Sequence, residues 1–250
     1  MQNKGVNAME RSRKCPVCNG TENLTAGLVN RSEEVNRRKC ARCGLIYFDR
    51  QDYPRPEYNL AYNEHFCRPG DIRKAGIMAA LIADIIAEHL GGARILEIGP
   101  GNGLTAFLLD RQKFDVVTMD EDWLSCCKII AEYKIPSWPG KFEQSQFGPS
   151  FEFIYGGHVV EHSEDPILFF QKVNESLVAN GLFFFDTPDT YYAKNYGLNW
   201  KHYNTRNPYE HCCLFSMQTV EYIAKKTGFE VVTRKSLPEF ESMQILLRKK

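Results

Sequence analysis

No run in this 250-residue chain approaches the ~18 consecutive apolar residues of a membrane-spanning helix. The opening stretch, MQNKGVNAMERSRK, has no apolar segment of the kind a secretion leader carries. A cytoplasmic protein with no membrane partner is the expectation. Charge of either sign is not in excess: Lys+Arg and Asp+Glu are both 31, giving a formal net charge of zero. Neutralising phosphates needs a basic face, so nucleic acid is not the expected partner, although Arg31, Arg37, Arg38, Lys39 and Arg42 could form a local stripe. Internal repeats and low-complexity tracts are missing too, which excludes a repeat array. At 43% hydrophobic and 25% charged, the chain can build an ordinary core without metal or disulfide staples.

Cysteine, by contrast, is plentiful, with nine in the chain. In a reducing compartment, closely paired thiols point to metal rather than disulfides. Cys15-Pro-Val-Cys18 and Cys40-Ala-Arg-Cys43 are two such pairs, each followed by a glycine (Gly20, Gly44) suited to a tight knuckle. Two facing knuckles place four thiolates tetrahedrally, as closed structural zinc sites do. Residues 13–50 are therefore expected to form a zinc ribbon on Cys15, Cys18, Cys40 and Cys43, with Leu45 to Phe48 as its last strand. An appendage that has lost its metal and a redox pair are the alternatives; the redox pair needs a thioredoxin-like context that is absent here. Cys126 and Cys127 are read as buried small apolar groups rather than ligands.

The stretch from Ala93 to Asp120, ARILEIGPGNGLTAFLLDRQKFDVVTMD, reads as strand, glycine turn, helix, strand and acid. This is one βαβ half of a nucleotide-binding sheet. Glycines after the first strand let the backbone turn tightly and approach a ligand. The acid at the tip of the second strand can accept hydrogen bonds from both hydroxyls of a ribose. Dinucleotide sites use G-x-G-x-x-G; here the glycines fall at 99, 101 and 103, with Glu97 inside the strand. A structural turn without a ligand is the third reading.

Around this centre the expected order is simple. Residues 1–12 form a frayed tail and 51–71 a proline-bearing linker. Within the linker, Tyr58, Tyr62 and His65 sit at helical spacing, on either a packing helix or a lid. An amphipathic helix runs from Ile72 to the Gly91-Gly92 cap, covering one face of the sheet. A helix spans Trp123 to Tyr133. Weaker strand character follows at Ile135 to Phe142, then a strand at Phe151 to Tyr155. A helix from Asp165-Pro166 to Val178 is closed by Asn180-Gly181, and a buried strand covers Leu182 to Phe185. Residues 187–216 are aromatic, polar and aperiodic, which inside a compact domain reads as functional. A helix from Met217 to Thr227 and two closing strands finish the chain.

Glu97-Ile98-Gly99-Pro100-Gly101-Asn102-Gly103, Asp120, His158-Val-Val-Glu161-His162 with Asp165-Pro166, and GLFFFDTPD from Gly181 resemble the zinc-ribbon-bearing class I S-adenosylmethionine (SAM) methyltransferases. The resemblance extends from Cys15 to the last strand. It implies an α/β, Rossmann-like seven-stranded sheet of order 3-2-1-4-5-7-6 with strand 7 antiparallel, over 72–250, and a small N-terminal zinc ribbon. By position, Glu97, Gly99, Gly101 and Asn102 would contact the methionine end of SAM, with Gly103 and Gly157 completing the cofactor set. Asp120 would hold the ribose, Phe142 would flank adenine, and His158 would lie near the methyl group. The chain departs from relatives at Lys141, where an acid is usual, and at Glu152, where aspartate is usual.

Methyl transfer from a sulfonium is an in-line displacement, and a hydroxyl or carbon acceptor must also lose a proton. Histidine is the usual base near neutral pH. His211, in Pro208-Tyr209-Glu210-His211-Cys-Cys-Leu-Phe-Ser216, resembles the stretch that lines the acceptor site in relatives and is the first candidate, with Tyr209 and Glu210 as neighbours. His158 is the second; His162, His202 and His65 are weaker, and His89 is a helix residue. A small-metabolite acceptor is the expected partner, with O-methylation ahead of C- or N-methylation. An RNA or protein methyltransferase gripping its substrate with the ribbon, and a catalytically idle SAM-binding partner, are the alternatives. Oligomeric state is not legible.

Overall fold

The computed structural model describes residues 14–21, 23–30, 33–48, 69–193 and 209–250. The expected tail, the linker aromatics Tyr58, Tyr62 and His65, and His202 lie outside the described residues, as do residues 194–208 of the aperiodic segment.

The large sheet is built from β4 (Arg94–Ile98), β5 (Asp115–Asp120), β6 (Ser137–Pro139), β7 (Phe151–Gly157), β8 (Leu177–Pro188), β10 (Phe229–Leu237) and β11 (Ser242–Lys249). Its order is β10-β11-β8-β7-β4-β5-β6. The five strands β4 to β8 run parallel, and β11 pairs antiparallel with both β8 and β10. This is the order 3-2-1-4-5-7-6 with an antiparallel seventh strand. The order in which strands are added reverses between β4 and β7, and this opens the crevice where ligands of such sheets bind.

Period-two alternation explains the layering. One face of the sheet carries Leu96, Ile98, Val117, Ile154, Phe183 and Phe185, and buries α4 (Pro166–Ser176) and α6 (Met217–Lys226); the one-turn α5 (Thr190–Ala193) lies between them in the chain. The opposite face carries Ile95, Val116, Phe153, Leu182 and Phe184, and buries α1 (Pro69–His89), α2 (Leu104–Arg111) and α3 (Trp123–Tyr133). Helix starts are set by side-chain caps. Asp122 accepts from the N–H groups of Leu124 and Ser125, Asp165 accepts from Leu168, and Ser216 and Thr219 form a reciprocal capping box. No helix among the described residues is long and apolar enough to cross a membrane.

Several boundaries differ from the sequence expectations. Helix α1 begins at Pro69, and its buried line is Ala75, Ala79, Ile82 and Ile86, leaving Ile72 and Ile77 exposed. Helix α4 stops at Ser176 rather than Val178, because Leu177 is extended and fully buried as the first residue of β8. Asn180-Gly181 therefore lies within that strand, with Asn180 at φ 62, opposite a register shift between Phe151 and Phe153. Strand β6 is only three residues long, as two nearby prolines on an edge strand would dictate.

A second sheet, of order β1-β2-β3-β9, contains the hairpin β1 (Asn23–Asn30) and β2 (Glu33–Cys40) followed by β3 (Ile46–Phe48). Its fourth strand was not foreseen. It is β9 (Cys213–Leu214), contributed from the end of the aperiodic segment.

Candidate functional site

At the carboxyl ends of β4, β5 and β7 lies a cavity of about 330 Å³. The glycine turn after β4 forms one wall. Gly99, Gly101 and Gly103 all have positive φ, but they serve different ends. A Cβ on Gly99 would stand 2.6 Å from Val159, and one on Gly103 would stand 2.7 Å from Ile129, so both allow close packing. A Cβ on Gly101 would meet nothing within 4 Å; this residue faces the open cavity. The side chain of Asn102 accepts from the N–H of Leu104, the first residue of α2, at 3.1 Å.

Of the residues expected to hold cofactor, Gly99, Gly101, Asp120, Phe142, Gly157 and His158 line the cavity; Glu97, Asn102 and Gly103 stand behind its surface. Asp120 ends β5, with Oδ1 accepting from the Asp122 N–H at 2.9 Å. Burial raises its carboxyl to about 6. Glu97 is more deeply enclosed: burial pushes it up to about 8, against the pull of the Ala106 N–H, and Asp120 adds a smaller push. Its Oε2 is buried without a hydrogen-bond partner among the described residues. A buried acceptor left in this state costs free energy until a donor arrives, and the ammonium of an amino-acid-bearing cofactor is such a donor. The open face at Gly101 and the acid at the β5 tip fit the same group.

The opposite wall is a linked set of ionisable side chains. His158, at φ 52, is fixed by its N–H donating to the Asp186 carbonyl at 2.9 Å. Its Nδ1 lies 3.0 Å from Glu161 Oε1 and its Nε2 lies 3.1 Å from Asp186 Oδ2. Tyr155 donates to the other oxygen of Asp186 at 3.2 Å, and Thr187 donates to the other oxygen of Glu161 at 3.0 Å. Burial works against the His158 charge, but the Glu161 hydrogen bond and the two carboxylates outweigh it and raise the imidazole to about 9. Burial likewise opposes the Glu161 charge, and His158 overcomes it, holding that carboxyl down at about 2. His158 is thus an imidazolium near neutral pH, with both ring nitrogens donating.

His211 and His162 close the site. Their rings meet edge to face with centroids 4.9 Å apart, and both line the cavity together with Glu210. His162 Nδ1 is 2.9 Å from the Glu210 carbonyl. One ligand-type atom each from Glu161, His162 and His211 falls within a 4.8 Å circle. Glu161, fully buried, is therefore a carboxylate set beside both histidines, and the Glu210 backbone carbonyl is bonded to His162. Tyr209 is exposed and does not line the cavity. Asp186, Thr187 and Tyr155 escaped sequence reasoning about the site. The available signal was that Asp186, like Asp120, is an acid closing an apolar strand.

The four knuckle cysteines are buried together, with Cys15 Sγ 3.6 Å from Cys43 Sγ and Cys18 Sγ 3.3 Å from Cys40 Sγ. All four sulfurs lie within 4.8 Å of one another. These separations are too long for disulfides and close to the roughly 3.8 Å edges of a tetrahedron with metal–sulfur bonds of about 2.3 Å. Cys126 is buried and Cys127 exposed, and neither belongs to a metal-type cluster among the described residues.

Comparison with known proteins bears on the same region. Residues 72–234 match a family model described as a methyltransferase domain. No curated protein matches the sequence at a significant level. Among solved structures, the PH0226 protein from Pyrococcus horikoshii OT3 is 16% identical with a TM-score of 0.60, covering 78% of this chain and 100% of its own. An S-adenosylmethionine-dependent methyltransferase from Mesorhizobium loti is 14% identical with a TM-score of 0.52, covering 64% and 93%. The CurJ carbon methyltransferase is 18% identical with a TM-score of 0.56, covering 76% and 58%. At such identities the likeness is one of fold.

Proposed function

The chain belongs to the methyltransferase-domain family and is a class I SAM-dependent methyltransferase, and we propose that it methylates a small metabolite, on oxygen ahead of carbon or nitrogen, with His211 as the proton acceptor. SAM, when bound, supplies the electrophilic methyl group. What the chain must contribute is orientation, a dry site and a destination for the acceptor's proton.

Glu97, Gly99, Gly101 and Asp120 are the residues we assign to the cofactor's amino-acid and ribose ends, and Phe142 to its adenine. The orphaned Glu97 oxygen supports this assignment. For proton removal, one observation carries the choice of residue. His158 has both ring nitrogens committed to carboxylates and is charged near neutral pH, so it cannot also accept a proton there. His211 stands in the same cavity beside His162 and near the Glu161 carboxylate. His158 instead fixes Glu161 in place. The decisive measurement is methyl transfer from radiolabelled SAM into small molecules of a cell extract, comparing wild type with His211→Gln. Equal incorporation into a hydroxyl-bearing product would overturn the assignment.

We also assign a structural zinc ion to Cys15, Cys18, Cys40 and Cys43. The four buried sulfurs at tetrahedral spacing support this.

A further inference from the structure

The strand that follows His211 is shared between two bodies. Cys213–Leu214 completes the ribbon sheet, with Tyr47 opposite Cys213 and Ile46 opposite Leu214. The Phe48 N–H donates to the Cys212 carbonyl at 3.0 Å. From the other side, the buried Cys212 thiol donates to the Ser163 carbonyl at 2.9 Å and stands 3.5 Å from the Glu161 carbonyl. Those two carbonyls belong to the turn that carries Glu161 and His162. Cys212 is therefore held on one side by the ribbon and on the other by the catalytic turn, and His211 is the next residue in the chain.

The ribbon is itself fastened to α6 at both knuckles. Thr219 Oγ1 donates to the Cys43 carbonyl at 2.8 Å, Gln218 donates to the Arg42 carbonyl at 3.1 Å, and Lys226 donates to the Val17 carbonyl at 3.1 Å. The ribbon core, with Leu45 and Tyr47, is continuous with the core under α4 and α6. A rigid path thus runs from the four thiols through β3 to residues 212–214 and so to His211.

We propose that the ribbon is a positioning element for the acceptor side of the active site: the assembled four-cysteine cluster holds β3, β3 holds residues 212–214, and these set where His211 stands against His162 and Glu161. Cys212 is the positioning residue at the junction. This rests on the reading of His211 as the acceptor-side base, and it goes beyond a ribbon that merely folds or grips a macromolecule. Without the cluster, β3 loses its anchor, and the buried carbonyl of Cys212 loses its donor at a cost that favours local opening. The cofactor half, built on the glycine turn after β4 and the acid ending β5, keeps its own strand pairing and is expected to bind SAM as before.

The test uses the full chain with Cys15→Ser/Cys43→Ser, which disables the cluster, and reads position rather than turnover. Amide exchange over 209–216 should accelerate by about tenfold or more, and the His211 imidazole proton resonance should move. SAM affinity by calorimetry should stay within about twofold. Exchange over 209–216 and a His211 resonance both unchanged, with cluster loss verified by thiol titration, would overturn the proposal. Should that variant fail to fold, Cys212→Ala, which spares the ribbon, should move the His211 resonance, and Cys212→Ser, which keeps a donor to Ser163, should restore it. A resonance indifferent to both changes would equally overturn it. None of these readouts involves methyl transfer, so they fail separately from the base assignment, which His211→Gln turnover tests.

Discussion

Nδ1 of His158, a half-exposed imidazole, stands 3.0 Å from Oε1 of Glu161, a carboxylate with no exposure at all. The pair ties stability to pH with a definite sign. His158 is raised from 6.5 to about 9, so its contribution is full below about 6.5 and is lost as the pH climbs through about 9. Glu161 is lowered from 4.5 to about 2, so its contribution is present above about 4.5 and is lost as the pH falls through about 2. The thermal midpoint of wild type should therefore exceed that of His158→Gln most between pH 4.5 and 6.5. The gap should narrow toward pH 9, and a gap that widened with rising pH would contradict the ion pair.

Cofactor binding should release protons. With Glu97 at about 8, roughly nine-tenths of the chains carry a proton there at pH 7. An ammonium arriving at its orphaned oxygen would favour the carboxylate and expel that proton. Calorimetry of SAM in buffers of different ionisation enthalpy should show up to about 0.9 proton released at pH 7 in wild type, and markedly less in Glu97→Gln.

Asp120→Ala should weaken SAM binding by roughly 1–3 kcal/mol, because the ribose hydroxyls lose a shared acceptor in an enclosed site. Titration calorimetry measures this directly. Unchanged affinity would remove Asp120 from the ribose.

His211→Gln should leave SAM affinity intact and lower methyl transfer to a hydroxyl acceptor on the order of 10²–10⁴-fold. With an amine that is neutral at the working pH, no base is needed, and the loss should be small. Rate measurements on the two acceptor types separate proton removal from mere binding.

Purified protein should carry one zinc per chain, removed with the Cys15, Cys18, Cys40 and Cys43 set and unaffected by Cys126→Ala or Cys127→Ala. Metal content by elemental analysis decides it. Chelation should leave the parallel sheet folded, because its face under α1, α2 and α3 has an apolar layer that holds no ribbon residue.

The glycine turn, the acid at Asp120 and the C-x-x-C pairs were legible because each is a local pattern whose spacing carries its own geometry. The strand order followed from resemblance, and the parallel core strands from their near-continuous apolar runs. What stayed hidden depends on distant pairing. Leu177 and Val178 continue an amphipathic pattern, and only their place beside Phe151 makes them strand. Cys213–Leu214 is too short to announce a strand, and its partners lie far back in the chain. Glu161 was visible as part of a motif. That it sits among three histidines, and that His158 spends both nitrogens on carboxylates, could be read only from the folded backbone.

The pairing of Ile46 with Leu214 also sets a timetable. At about 5–20 residues per second, a ribosome that has delivered Cys43 needs roughly 10–35 s more to reach Leu214. For that interval the ribbon sheet has three strands and an open edge, the kind of surface that recruits stray strands. A sheet whose first three strands are made well before β9 is thus finished only when β9 arrives. Excising the ribbon as an independent module would expose that edge on one fragment and leave residues 212–214 without their partner strand on the other.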